Sequence, residues 1–212
     1  MERNVYQRMA LFLSQQNQLA SGKTAELAYG LEILFINGMN LLLTILIGFF
    51  LGVLPGTIAC IIVAAAYRHT AGGAHSRSPW ICAIATMIIF PTLACLGNFL
   101  SNGPPYYSYT IITAAALIGY YAVHFYAPVD SPQAPIISPQ RRQKLKKYSY
   151  LVVSLLVLSL ILMEAMTKYW LAARGVQLAA ALTLIWVSFN LSDAAASFWY
   201  MLDNQHNSKN RR

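Results

Sequence analysis

Charge is what this chain has least of. Only 10% of its 212 residues are Asp, Glu, Lys or Arg, against roughly 25% in an ordinary soluble domain, which excludes a soluble protein. Acidic residues are the scarcer sign, 7 against 15 basic ones. Within the apolar stretches the ionisable residues come down to Glu32, His124, Glu164 and Asp193, all near expected helix ends, and that scarcity counts against an ion-coupled pump. Three cysteines, two of them (Cys60 and Cys95) set among apolar neighbours as packing residues, imply no disulfide framework. Long polar stretches are missing too: the N-terminal 26 residues, a segment near 128–147 and the tail after 200 are each too short to bury a core. No internal repeat or low-complexity tract is evident. The first apolar cluster, Met9 to Leu13, is too short for a secretory signal, so the N-terminus is expected to be retained.

What the chain does have is apolar sequence. Hydrophobic residues make up 57%, about 121 residues, which is material for about six spans of about 20 residues each. Trp80 to Leu100, Tyr106 to Ala127, Tyr148 to Met166 and Val176 to Trp199 each predict a span. Apolar sequence from Leu27 to Tyr67 predicts two more, joined by a turn between Gly48 and Gly56 with Pro55 at the break. The second of these is short and is expected to be tilted or re-entrant. The expected fold is therefore an all-α integral membrane protein of about six transmembrane helices. An interfacial segment covers residues 1–26, a single transmembrane domain 27–199, and a basic tail 200–212.

Basic residues orient such a bundle. Arg3, Arg8 and Lys23 precede the first span, and Arg68 and Arg77 lie between the second and third. Arg141, Arg142, Lys144, Lys146 and Lys147 follow the fourth, and Lys209, Arg211 and Arg212 end the chain, leaving only Lys168 and Arg174 for the other face. This bias predicts cytoplasmic termini and an extracellular 101–105 loop. It also accounts for the net charge of +8 without nucleic acid, because basic loops meet anionic lipid at about 1 kcal/mol per residue. The same loops attract an acidic peptide. Val5, Met9 and Leu13 recur at four-residue spacing among Arg3, Arg8, Gln15 and Gln16, either as an amphipathic helix on the membrane or as a solvated lead-in. Gly48 and Gly52 form a GxxxG that points to close helix contact, within the subunit or in a homodimer.

Chemistry concentrates in one cytoplasmic turn, Tyr67-Arg68-His69-Thr70-Ala71-Gly72-Gly73-Ala74-His75-Ser76-Arg77-Ser78-Pro79-Trp80-Ile81-Cys82. Ser78 and Pro79 read as the N-cap and first position of the third span, the hydroxyl taking an unpaired N–H. Cys82 then sits in or just after the first turn, where the helix dipole favours a nucleophilic thiolate. His75 is seven residues earlier, about 10.5 Å away on an unbroken helix and out of reach. Pro79 and the pair Gly72 and Gly73 argue for a folded loop instead, which lets His75 return over Cys82 as its base. The glycines also allow backbone N–H groups to approach a substrate carbonyl and supply an oxyanion site. Arg68 either holds a developing or substrate negative charge or snorkels to the interface. His69, His75 and Cys82 are metal-ligand types as well, but no fourth ligand stands nearby and the spacing matches no common zinc pattern, so no metal or cofactor is expected.

These residues resemble the accessory gene regulator protein B family, the integral-membrane cysteine endopeptidases of bacterial peptide quorum sensing. The likeness rests on Arg68-His69, Gly73-Ala74-His75 and, after six residues, Cys82. Tyr126-Ala127-Pro128-Val129-Asp130, Ala134-Pro135-Ile136 and Lys146-Lys147-Tyr148 reinforce it. The resemblance implies Cys82 as nucleophile and His75 as base, with Arg68 and Gly73 in support. It further implies a bacterial cell-membrane location with the site on the cytoplasmic side. The implied partner is a short precursor signal peptide with an amphipathic helix and an acidic C-terminal tail, cleaved through a Cys82 thioester that an internal thiol or hydroxyl then attacks to close a ring. Staphylococcal members carry a lysine run where this chain has Asp130-Ser131-Pro132-Gln133, and its basic cluster begins only at Arg141. Arg141, Arg142 and Lys144 are the candidates to hold the acidic tail in their place. Asp130, Glu32 and Asp193 are the candidates for a third catalytic member. The competing reading is a non-enzymatic peptide transporter or membrane scaffold, and it predicts no dependence of precursor cleavage on Cys82.

Overall fold

The computed structural model describes residues 5–16, 21–74, 76, 78–130 and 136–209. Among them are eight helices and no strand: α1 (Val5–Gln16), α2 (Ser21–Phe50), α3 (Leu54–Ala71), α4 (Pro79–Ser101), α5 (Tyr106–Phe125), α6 (Pro139–Met166), α7 (Ala173–Phe189) and α8 (Asp193–Lys209). Proline sits in the first turn of α3, α4 and α6, where its missing N–H has no partner to lose. Pro55 thus marks the α2–α3 break as expected, and Gly52 makes the turn with a φ of 71°. A Cβ on Gly48 would meet the Thr57 hydroxyl at 2.4 Å, so half of the GxxxG serves close contact inside the subunit and the other half serves the turn.

Among the described residues four helices are long and apolar enough to cross a membrane, α2, α4, α5 and α6, and a fifth crossing exists if α7 and α8 are one bent span. Their outer faces carry large exposed apolar side chains such as Leu42, Ile88, Leu117 and Leu162, as a lipid-facing surface requires. The sixth expected span, α3, has 18 residues and turns polar at Arg68 and His69. Its apolar part, from Leu54 to Ala66, is therefore roughly 20 Å long, short in the way its sequence suggested.

The expected straight span from Val176 to Trp199 does not form. The helix stops at Phe189, restarts at Asp193, and the two pieces meet at 82°. The cause is a polar pair, Asn190 and Ser192, that hydropathy averages away. The Asn190 side chain donates to the Trp186 carbonyl at 2.8 Å and accepts the Trp199 indole N–H at 2.9 Å. Ser192 accepts the Ala195 N–H at 3.3 Å and so caps the new helix. Before the break, α7 is the hub of the bundle and packs against α3, α4, α5 and α6. Small residues buried all round it, including Gly175, Ala179, Ala180 and Ala181, let neighbouring backbones come close.

Successive helices alternate in direction. The ends of α3, α5 and α7 therefore meet the starts of α4 and α6 at one pole, through Val129 N–H to Ala71 O at 2.9 Å and Lys146 Nζ to His124 O at 2.6 Å. At the opposite pole Arg174 closes the α4–α5 turn. Its guanidinium donates to Ser108 Oγ and to the carbonyls of Ser101, Gly103 and Pro104, all at 2.6–3.0 Å. Helix α1 doubles back along α2, with Ser14 bonded to Thr24 at 2.9 Å and the Tyr6 and Phe35 rings 5.8 Å apart. It packs through Ala10 and Ser14, leaving Val5, Met9 and Phe12 outward.

A Cβ on Gly97 would stand 2.6 Å from Ala179 N and 2.7 Å from Gly175 O, both backbone atoms of α7. Gly97→Ala is therefore expected to destabilise the bundle by about 1–3 kcal/mol, seen as a lower thermal midpoint in detergent. An unchanged midpoint would mean that α4 and α7 are not in contact there.

Candidate functional site

The polar loop leaves α3 at Gly72, whose φ of 74° is a left-handed turn, with its N–H on Arg68 O at 3.1 Å. Only glycine fits, because a Cβ there would lie 2.4 Å from the Val129 carbonyl oxygen. The 127–130 segment is thereby pressed against the end of α3. Gly73, at φ 141°, passes close to Asn190. Ala74 is then held twice, its N–H by the Asn190 carbonyl at 2.7 Å and its carbonyl by Arg68 Nη2 at 3.0 Å. The Ser76 hydroxyl donates to the Asp203 carboxylate and accepts the Ser78 N–H at 3.0 Å. Nearby, Ser188 donates to the Tyr67 hydroxyl at 3.1 Å, pinning α7 to α3.

Helix α4 starts where the sequence placed it, with Ser78 at the N-cap and Pro79 first, but the Ser78 hydroxyl makes no cap bond. The amides of Trp80 and Ile81 are therefore not capped by it. Cys82 lies just past this turn, its N–H on Ser78 O at 3.3 Å and its carbonyl accepting from Thr86 Oγ1 at 2.8 Å. It is half-buried. With Arg68, Thr86, Trp186, Asn190 and Trp199 it lines a cleft whose free volume is about 20 Å³, room for about one water.

Among the expected residues, the structure brings Cys82, Arg68, Gly72 and Gly73 to one place. His75 and Arg77 lie outside the described residues. Arg68 does not snorkel away: it holds the loop and borders the cleft. The Gly72 N–H is taken up by Arg68 O, so any donor from the glycine pair falls to Gly73 or its neighbours. Arg141, Arg142 and Lys144 are exposed at the start of α6, at the same pole. Among the candidate third carboxylates, Asp130 accepts the Ile136 N–H at 3.0 Å as a loop-shaping residue. Asp193 is exposed in the first turn of α8, and Glu32 lies on α2. Among the described residues no three His, Cys, Asp or Glu side chains gather into a metal site. Asn190, Trp199 and Asp203, all buried at the site, were missed. The one signal for them was the Asn-x-Ser-Asp run, a helix stop followed by a cap, hidden within an apolar stretch.

An all-helical bundle with several membrane-length apolar helices and a cysteine beside a glycine-bent loop defines the class. The match to known families is specific: residues 6–191 fit Accessory gene regulator B, and the chain belongs to that family. It is 30% identical over 159 residues to accessory gene regulator protein B of Staphylococcus aureus strain bovine RF122 / ET3-1, covering 75% of this chain and 81% of the relative. It is 26% identical over 161 residues to an AgrB-like protein of Clostridium acetobutylicum, covering 76% and 75%. Protein FsrB of Enterococcus faecalis is 28% identical over 171 residues, covering 78% and 68%. No solved structure matches the chain.

Gly72→Ala combines a left-handed φ with a clash on backbone, a strain of roughly 1–2 kcal/mol from φ alone. Its expected effect is to release the 127–130 segment from α3. That should appear as faster limited proteolysis between residues 127 and 138, with helix content by circular dichroism unchanged. An unaltered digestion pattern would refute the contact.

Proposed function

We propose that this protein is a membrane-embedded cysteine endopeptidase that cleaves a quorum-sensing precursor peptide on the cytoplasmic side of the bacterial membrane. The observation that carries the reading is Cys82 at the start of α4, lining a cleft with Arg68, in a chain of the accessory gene regulator B family. His75 takes the Cys82 proton, and the thiolate attacks the scissile carbonyl. The tetrahedral oxyanion is met by the first-turn amides of Trp80 and Ile81, which Ser78 leaves uncapped. Collapse breaks the C–N bond, the imidazolium returns its proton to the departing amine, and the acyl group stays on Cys82 as a thioester. An internal thiol or hydroxyl of the peptide then displaces Cys82 and closes a thiolactone or lactone. Exclusion of water from the acyl-enzyme favours that attack over hydrolysis.

The charge distribution supports the substrate and the orientation. The first turn of α6 itself holds no acidic residue beside Arg141, Arg142 and Lys144, and the helix dipole adds to their positive field. An acidic peptide tail is attracted there. The basic residues of α3 and α6 lie at the site pole and Arg174 at the other, a bias that supports a cytoplasmic site and cytoplasmic termini. The outward Val5, Met9 and Phe12 of α1 face lipid.

Co-expression with the precursor peptide of its own signalling system is expected to give cleavage that Cys82→Ala abolishes and His75→Ala lowers by about 10²–10⁴-fold. Cleavage persisting in Cys82→Ala would refute the peptidase in favour of a transporter or scaffold. Replacing Arg141, Arg142 and Lys144 together by Glu is expected to weaken cleavage, and more so at low salt. Undiminished cleavage would remove the tail-binding role. A cysteine placed at Asn102 is expected to react with an impermeant maleimide on intact cells.

A further inference from the structure

We propose that Asp203 is a positioning residue for the Cys82–His75 pair, so that α8, beyond the stretch matched to the family, belongs to the catalytic machinery. The inference rests on the endopeptidase reading above. Its starting point is the pair of residues that flank His75 in the chain. Ala74 is clamped on one side, its N–H on the Asn190 carbonyl and its own carbonyl on Arg68. Ser76 is clamped on the other by donating to Asp203, 127 residues away in sequence. The two residues next to His75 in sequence are thus each fixed, Ala74 on the α7–α8 break and Ser76 on α8.

The Ser76 contact also reaches the nucleophile. The same oxygen that donates to Asp203 accepts the N–H of Ser78. Ser78 is the N-cap of α4, and its carbonyl receives the Cys82 N–H. Asp203 thus orients one hydroxyl that ties the histidine loop to the cysteine helix. A carboxylate fits this task because it only accepts. It fixes the hydroxyl hydrogen on itself and leaves the oxygen lone pairs directed at Ser78. Burial makes the arrangement rigid: Ser76 is 3% exposed and Asp203 7%, so water does not compete for either group. The rest of α8 explains why a carboxylate is held inside at all. Its Trp199 is fastened to Asn190, the residue that also holds Ala74, so the helix is placed by the loop's other anchor.

The test uses the full chain in lipid nanodiscs, with Cys60→Ala and Cys95→Ala leaving Cys82 as the one thiol, and iodoacetamide as the probe. Asp203→Ala is expected to slow alkylation of Cys82 by about tenfold, towards the rate of His75→Ala. Asp203→Asn keeps an acceptor oxygen for Ser76 and is expected to restore the rate to within about threefold of the parent. In a His75→Ala background, Asp203→Ala is expected to slow alkylation by clearly less than in the parent, because one member of the pair it aligns is gone. A loss of equal size in both backgrounds, or an Asn variant as slow as Ala, would overturn the inference while leaving the dyad standing. A rate unmoved by His75→Ala would take down the dyad reading and this inference with it.

Discussion

A backbone that leaves a helix near membrane depth must find partners for its N–H and C=O groups, because lipid offers none and water is scarce. The loop after α3 meets that demand at the break between α7 and α8, where the Asn190 carbonyl turns away from its own helix and takes the Ala74 N–H. Everything around Cys82 follows from this exchange. Were α7 to run straight on, Asn190 would bond within its helix, α8 would not swing through 82°, and neither Trp199 nor Asp203 would reach the loop. The cost of interrupting a helix is offset by the Asn190 side chain, which satisfies Trp186 and Trp199 at once.

The hub on which this rests is α7, which lies so near α4 that Gly97 has no room for a methyl group. In lipid, such backbone proximity is a main source of helix association, since apolar side chains gain nothing by leaving hydrocarbon for one another. Buried polar pairs add direction. Gln177, wholly buried on α7, donates to the Leu160 carbonyl and to Glu164 on α6. Helix α8 is bound more lightly, through buried Ala195, Trp199 and Asp203 with most of its other side chains exposed. Of the helices that line the cleft beside Cys82, α8 is the one least committed to the core.

Local signals made much of the fold legible. Pro55 and Pro79 mark helix starts because a first-turn proline loses no hydrogen bond, a property of a few neighbouring residues, and Ser78 stands at the N-cap without its hydroxyl making the cap bond. The apolar runs of α4, α5 and α6 exceed the span length outright. The last span was misread because averaging over Val176 to Trp199 hides one asparagine and one serine, each of which acts through a single hydrogen bond rather than through hydropathy. Asp203 fell inside what reads as a basic tail, and nothing near it in sequence hints at Ser76. The gathering of Cys82, Arg68, Gly72 and Gly73 was legible because one short stretch, the end of α3, the loop and the start of α4, carries all four, whereas the residues that fasten the loop come from the far end of the chain.

The attachment of α8 has a practical side. Asp203 lies six residues, roughly 9 Å, before Lys209, where that helix ends. An affinity handle or fluorescent reporter joined behind Lys209 therefore tugs on the very helix that steadies the loop. The same cargo ahead of α1 hangs from a hairpin whose closest bonds are to α2. Preparations of this protein made with the two placements are not interchangeable, and work on the thiol belongs with the N-terminal one.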